Sequence, residues 1–361
     1  MNDFLNCLQN NARLVDNQVE KSLADFSKYS SKISPKLNPL IKLLLDSCRG
    51  GKRIRGVLVR LGYKLARAMA GAKLDHLEGG EEIVKVAAAF EILHASILIH
   101  DDVIDQSPLR RGKKTLYMAL RPEDGRVGAD HYGISQAIGL ADIGLFLAVK
   151  IIADTNFPLE QKSQALSFFA QTVINTGLGE VLDVEIPHLG GERREEDVVT
   201  IHKLKTAYYT ISAPLKLGAI LSGARLDFLH QLDQFGESLG IAFQIQDDIL
   251  GVFGDEKQLG KSVTSDVEEG KNTLLITYAL EKANSKQKQI LNNLYGKNNL
   301  TPAEFNQIKQ IFVSGGALDY SKKQALSYVT KAKKIIPSIT KDVKMSIILS
   351  QMADYLVERT K

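Results

Sequence analysis

An all-α fold, a single large helical bundle, follows from three features of the 361-residue sequence. Apolar residues recur at helical spacing through almost every segment, and no run alternates apolar with polar residues as a half-buried strand would. No hairpin signal such as Asn-Gly stands between apolar runs. Pro is absent between Pro214 and Pro302 and no linker-like stretch divides the chain, so residues 1–361 read as one domain.

The elements follow in order. Residues 1–34 form an amphipathic helix with Leu5, Leu8, Leu14, Val19, Leu23 and Phe26 at helical spacing, closed by Ser30-Ser31 and Pro35. Ile41 to Cys48 is helical and stops at Arg49-Gly50-Gly51; Lys52-Arg53-Ile54-Arg55-Gly56 then leads into a helix from Val57 to Ala70. The polar stretch His76 to Glu82 is a connection before a long helix that reaches Asp105. Lys85, Glu91 and His94 interrupt the most apolar part of that helix, Ile83 to Ile99, which marks it as a buried core helix and not a membrane span. Residues 107–131 are a loop with one helical turn near Leu116 to Leu120. The pattern Ile134, Ala137, Ile138, Ala141, Leu145, Ala148 is the next helix, followed by others from Leu159 to Ile186, Asp197 to Leu221 and Leu226 to Val252. Pro187 to Glu196 and Phe253 to Gly270 connect them. Asn272–Asn284, Ser285–Tyr295, Pro302–Phe312, Tyr320–Ile336 and Lys341–Arg359 complete the set.

Composition excludes several classes. With 44% hydrophobic and 24% charged residues the chain is ordinary globular material. Its net charge of +4 is spread out, and no basic run is interleaved with aromatics, so nucleic acid is not an expected partner. Cys7 and Cys48, the only cysteines, give neither a disulfide framework nor metal-ligand spacing. The amino terminus lacks a basic start followed by an apolar core, which fits a cytoplasmic protein.

The chemistry concentrates in two segments. Leu98-Ile99-His100-Asp101-Asp102-Val103-Ile104-Asp105 ends an apolar helix in three carboxylates, and Arg110-Arg111-Gly112-Lys113-Lys114 follows. Asp101 and Asp105 lie one helical turn apart on one face. Like charges about 4 Å apart repel by roughly 4 kcal/mol at an effective dielectric near 20, so the cluster needs cations beside it. Magnesium suits it, because this hard ion takes a few carboxylate oxygens and fills its other positions with water and phosphate. Phe243-Gln244-Ile245-Gln246-Asp247-Asp248 is a second apolar helix ending in an Asp pair. A solvated acidic surface would not be preceded by apolar runs twice, and the pair of segments points to metal-assisted diphosphate chemistry.

With Gly50-Gly51-Lys52-Arg53-Ile54-Arg55, Lys205-Thr206 and the basic positions Lys261 and Lys271, these segments make the sequence resemble the trans-type, head-to-tail polyprenyl diphosphate synthases from about Gly50 to Lys271. The resemblance implies a helical bundle with a central active-site cavity, a homodimer, and condensation of isopentenyl diphosphate with an allylic diphosphate. It implies that Asp101, Asp105 and Asp247 hold magnesium, about three ions, on the allylic diphosphate, with Asp102 and Asp248 in support. Arg110, Lys205 and Lys261 would contact that diphosphate. Gly51, Lys52, Arg55, His94 and Arg111 would form the isopentenyl diphosphate site, Lys271 would add to substrate binding, and Thr206 and Gln244 would orient substrate and allylic cation. Three positions depart from the family pattern: Gly251 replaces the third Asp of the second motif, Gly56 stands where Pro is usual, and Glu180 replaces Gln.

The same resemblance implies that Ser96 and Ile97 form the floor of the product cavity, with Phe90 and Leu93 closing it further along the helix. The absence of an aromatic at 96 or 97 predicts a geranylgeranyl or somewhat longer product, with a farnesyl product the alternative. Two further alternatives are a class I terpene cyclase, since Asp247, Gly251 and Asp255 have the spacing of its second metal motif, and a non-catalytic partner subunit. The basic blocks argue against the cyclase, which has no second diphosphate to hold, and the complete first motif argues against the silent subunit.

Overall fold

The computed structural model describes residues 2–71, 80–123, 127–189, 193–256 and 262–358. Contacts gather into two units, Met1–Ala170 with Pro214–Leu229, and Gln171–Ala213 with His230–Lys361. Both are helical, as the periodicity predicts.

In the first unit α1 (Asp3–Ile33) starts at Asn2, whose side chain accepts from the backbone N–H groups of Phe4 and Leu5. Its buried stripe is Phe4, Leu8, Val15, Val19 and Leu23; Leu14, expected in the stripe, is 45% exposed because Val15 takes the inward position. A 3₁₀ turn at Pro35–Leu37 leads into α2 (Asn38–Ser47), three residues earlier than expected since Pro39 is tolerated in a first turn. α3 (Ile54–Met69) and α4 (Gly80–Ile104) follow. The expected connection from His76 falls mostly on 72–79, outside the described residues, and Gly80–Glu82 is already helix. α4 is the core element, with Ile83, Val86, Phe90, Ile92 and Leu93 inaccessible and α1, α3 and α6 (Ala129–Ala153) packed around it. α4 and α6 are both long and apolar enough to cross a membrane; 67% of the apolar stretch of α4 is buried within the protein, against 33% for α6.

The loop after α4 holds a structure that the sequence did not announce. Leu109–Arg110 (β1) pairs antiparallel with Lys113–Lys114 (β2), and the turn residues Arg111 and Gly112 both have positive φ, 53° and 74°. Two left-handed residues make this a type I′ hairpin, formed by Arg-Gly instead of the usual Asn-Gly. α5 (Leu116–Leu120) supplies the expected helical turn. α7 (Leu159–Glu185) and α9 (Ala213–Leu221) complete the helices that contribute to this unit. α3 and α9 cross at backbone contact, because a Cβ on Gly62 would overlap the carbonyl of Leu215 and one on Gly218 would overlap that of Val59.

In the second unit the expected single helix from Asp197 to Leu221 is three-part: α8 (Glu195–Ile201), a π-helical stretch His202–Ser212, and α9 beyond it. Residue spacing alone does not separate i→i+5 from i→i+4 winding, so the sequence reading missed it. α10 (Leu226–Phe253) offers Gly236 and Gly240, four apart, where side chains would strike Ser212 and Ala207 of the π stretch. After α11 (Ser265–Glu268) come helices Leu274–Lys282, Ser285–Leu294, Pro302–Ser314, Ala317–Ile339 and Val343–Glu358. Their core is built on Val252, Val267, Leu275, Ile276, Ile308 and Phe312.

Gly56 has a specific reason to differ from the usual Pro. Its N–H donates to the buried carboxylate of Glu91 (Oε1, 2.7 Å), whose other oxygen lies 3.7 Å from Nη1 of Arg53. Arg53 is itself buried, at positive φ, with Nε donating to Asp16 at 2.6 Å. A proline would delete the donor and set ring atoms against Val15, since even a Cβ here comes within 2.8 Å of its Cγ1. Gly56→Pro is therefore expected to cost about 3 kcal/mol, chiefly from an unsatisfied buried carboxylate oxygen, measured by urea unfolding.

Candidate active site

The first group of polar residues belongs to the first unit. α4 places Asp101 and Asp105 one turn apart; Asp105 N donates to Asp101 O at 2.8 Å, so the helical winding extends through the last carboxylate. The hairpin returns Arg110 to the helix end, where Nη2 donates to Asp101 Oδ2 at 2.8 Å and Nε to Asp102 Oδ1 at 2.6 Å. Asp102 is buried, and burial pushes its carboxyl up to about 6 in spite of Arg110. Asp101 and Asp105 remain partly exposed. Hard carboxylate oxygens on one face of a helix end fit a magnesium ion.

One and a half turns and more before these carboxylates the charge reverses. His94 is held well below its ordinary pKa by burial and then by the positive charges of Arg55, Arg111, Arg110 and Arg53, so it is a neutral imidazole. Arg111 is lowered by burial and by the same arginines, with Glu91 opposing. Gly50 and Gly51, at φ +76° and +93°, bring the backbone against Arg111: a Cβ on Gly51 would lie 3.2 Å from its Nη2. The glycines and the basic residues of this block thus act together. The result is a concentration of cationic side chains around a neutral histidine, suited to an anion with several oxygens.

The floor residues are deeper in α4. Phe90 and Leu93 are inaccessible, with Phe90 edge-to-face on Phe169 at 5.7 Å between centroids. Ser96 is also inaccessible; its hydroxyl donates to the Ile92 carbonyl at 3.0 Å, and it faces α6 so closely that a Cβ on Gly144 would overlap it. Ile97 keeps partial exposure.

The second group belongs to the second unit. Asp247 is partly exposed near the end of α10, while Asp248 is buried. Gln244 Nε2 donates to Asp248 Oδ1 at 2.8 Å, and His202 Nε2 stands 2.9 Å from Oδ2. One oxygen of Asp248 is therefore held by Gln244 and the other faces the His202 ring, which suits a supporting carboxylate. Lys205, in the π stretch beside Thr206, pairs with Asp183 at 2.7 Å and Glu180 at 2.9 Å. The close approach is permitted by Gly179, where a Cβ would meet the Lys205 backbone. Glu180, one of the departures from the family pattern, thus has a cationic partner. Lys271 Nζ lies 2.9 Å from Glu269 and 3.6 Å from Asp266. Lys261 lies outside the described residues.

Sequence reasoning missed His202 and Asp183. His202 stands three residues before Lys205 in a helical segment, a spacing that could have pointed to it; nothing in the sequence ties Asp183 to Lys205.

Comparison with known proteins identifies the family. The family model described as Polyprenyl synthetase matches residues 37–312. A geranylfarnesyl diphosphate synthase of Aeropyrum pernix is 33% identical over 319 residues, covering 86% of this chain and 91% of that protein. A geranylgeranyl diphosphate synthase of Sulfolobus acidocaldarius is 30% identical over 347 residues, covering 95% and 96%. Among solved structures, the geranylgeranyl pyrophosphate synthase of Corynebacterium glutamicum, complexed with isoprenyl diphosphate and magnesium, superposes with a TM-score of 0.89 at 26% identity, covering 98% and 99%. The carboxylates of α4 and α10, the basic block before α3 and the Lys-Thr pair in the π stretch therefore stand within a matched segment three quarters of the chain long, and the chain belongs to the polyprenyl synthetase family.

Proposed function

We propose that the protein is a trans-prenyltransferase that condenses isopentenyl diphosphate with an allylic diphosphate to give geranylgeranyl diphosphate or a somewhat longer product. The observation that carries this reading is the pairing of a carboxylate helix end with a separate cationic cluster in the first unit. A cyclase needs only the former; joining two diphosphates needs both.

Asp101, Asp105 and Asp247 would hold magnesium, which supplies Lewis-acid stabilisation of the departing diphosphate. Arg110 and Lys205, each paired with carboxylates in the protein, would exchange part of that pairing for diphosphate oxygens. Asp248, fixed by Gln244 and His202, would keep the end of α10 in place. Lys52, Arg55, Arg111 and neutral His94 would hold isopentenyl diphosphate with its alkene toward the allylic carbon, the imidazole as a hydrogen-bond donor that adds no charge. When the allylic carbon–oxygen bond breaks and the new carbon–carbon bond forms, Thr206 and Gln244 would direct their dipoles at the allylic cation. The proton lost from the adduct would pass to the released diphosphate.

A homodimer is supported by α6, which leaves Ile138, Ile143, Phe146 and Val149 exposed, Phe146 at 74%. These residues repeat at three to five positions and form an apolar stripe with no cover among the described residues.

Purified protein given isopentenyl diphosphate and dimethylallyl, geranyl or farnesyl diphosphate is expected to make a prenyl diphosphate of defined length, seen by chromatography, and to stop when magnesium is chelated. A cyclic hydrocarbon from farnesyl diphosphate alone would instead identify a cyclase, and silence with every primer a partner subunit. Ile97→Phe is expected to shorten the main product by about one isoprene unit or more, since a ring replaces the one floor side chain that keeps partial exposure. Phe146→Glu is expected to convert a dimer to a monomer in sedimentation velocity, because it buries charge in an apolar contact.

A further inference from the structure

Lys271 stands in a turn whose backbone is held by two side chains from elsewhere in the second unit. Arg193 Nη1 donates to the Gly270 carbonyl at 3.1 Å and to Asn272 Oδ1 at 3.3 Å. Tyr295 donates its hydroxyl to the Lys271 carbonyl at 2.7 Å. Gly270 N closes the turn on Val267 O at 3.1 Å, with Gly270 at φ +70°. Three consecutive residues, 270 to 272, are therefore gripped by Arg193 and Tyr295.

The two gripping residues also hold each other. The Arg193 guanidinium lies over the Tyr295 ring, 5.3 Å from its centroid, where the ring face attracts a cation. Phe312, inaccessible in the core, meets the same ring edge-on at 6.4 Å between centroids. Gly296 N donates to Val267 O at 2.8 Å, and a Cβ on Gly270 would lie 3.3 Å from Gly296 Cα, so the helix end at Tyr295 is seated directly on the turn. Among the described residues Arg193 pairs with no carboxylate; its partners are a carbonyl, an amide oxygen and a ring. Arg193 therefore holds the turn without competing for Glu269 and Asp266, whose carboxylates lie 2.9 Å and 3.6 Å from the Lys271 ammonium.

We propose that Arg193 and Tyr295 are positioning residues that clamp the backbone of Lys271 and so set where its ammonium meets the allylic diphosphate. The proposal deepens the prenyltransferase reading and rests on it, since Lys271 belongs to the same unit as Asp247 and Lys205, the groups assigned to that diphosphate. The Gly270 carbonyl belongs to the peptide before the Lys271 Cα and the Lys271 carbonyl to the peptide after it. Pinning both removes the rotation of the two peptide planes that flank the lysine. A lysine carries its charge on a flexible stem, so the reach of the ammonium is defined only when its Cα is fixed. The clamp leaves the side chain itself able to turn from Glu269 to a phosphate oxygen.

The experiment titrates farnesyl diphosphate, with magnesium and without isopentenyl diphosphate so that no condensation occurs, into wild type, Arg193→Gln, Tyr295→Phe and Lys271→Gln. Each clamp variant is also combined with Lys271→Gln, and binding is read by calorimetry. Arg193→Gln and Tyr295→Phe are each expected to weaken Kd by about fivefold, while KM for isopentenyl diphosphate in the condensation assay stays within about twofold of wild type. In the Lys271→Gln background neither is expected to add to the loss, because a clamp acts through the lysine it holds. A general loosening of the fold would weaken binding in both backgrounds and would raise KM for both substrates. Tyr295→Phe keeps the ring and removes one hydroxyl, so it tests the clamp even where Arg193→Gln does not fold. Wild-type affinity in Tyr295→Phe or in Lys271→Gln, or a loss that persists in full in the Lys271→Gln background, overturns the proposal while leaving the prenyltransferase reading intact. A wild type inactive with every primer overturns that reading, and with it the role assigned to the clamp.

Discussion

Repulsion between neighbouring carboxylates is the constraint that shapes the polar parts of this molecule. Asp101, Asp102 and Asp105 close together at the end of α4 could not all be charged and buried without a cation beside them. The protein answers with Arg110, brought back by a two-residue hairpin, and accepts that Asp102, the most buried of the three, is pushed toward its neutral form. In the second unit the same problem recurs at Lys205, which joins Glu180 and Asp183, and at Lys271, which joins Asp266 and Glu269. Under the proposed function, the cations that stand among these carboxylates are the groups that a diphosphate would recruit.

A second constraint is backbone contact at glycine. Gly62 and Gly218 let α3 and α9 touch, Gly236 and Gly240 seat the π stretch on α10, and Gly179 admits Lys205. Gly51 does the same for Arg111 in the basic block. All but Gly51, where the contact is only tight, would place a side chain inside a neighbour, and Gly179 and Gly51 face polar residues of the proposed site. Rigid close packing of main chains holds those polar residues at fixed distances without long side chains to adjust.

Much of this was legible in the sequence. Helical periodicity gave nearly all the elements, because amphipathic spacing depends only on which side faces the core. The Asp pairs could be recognised because apolar residues before a carboxylate cluster are unusual on a surface. Three of the features that were not legible show why the rest was hidden. The type I′ hairpin at Arg111-Gly112 uses left-handed backbone at an arginine, which residue preference disfavours, and tertiary contacts override. The pairing of His202 with Asp248 joins residues 46 positions apart, with nothing in either local pattern to connect them. Gly251 is a bare position in the sequence, which does not show the Asp266 carboxylate that a side chain there would overlap.

The π-helical stretch from His202 to Ser212 turns the spacing of residues into a fixed part of the design. Its hydrogen bonds span five residues where an α-helix spans four, so each wide turn carries one residue more than the helices on either side. Everything after it is rotated about the axis by that surplus. His202 and Lys205, which enter the stretch, and Ala207 and Ser212, which rest on the glycines of α10, keep their separate directions only while the count of residues between them is unchanged. Length in this span is thus as restrictive as chemistry: a substitution alters one contact, whereas the loss or gain of a single residue would re-aim the whole helix beyond it.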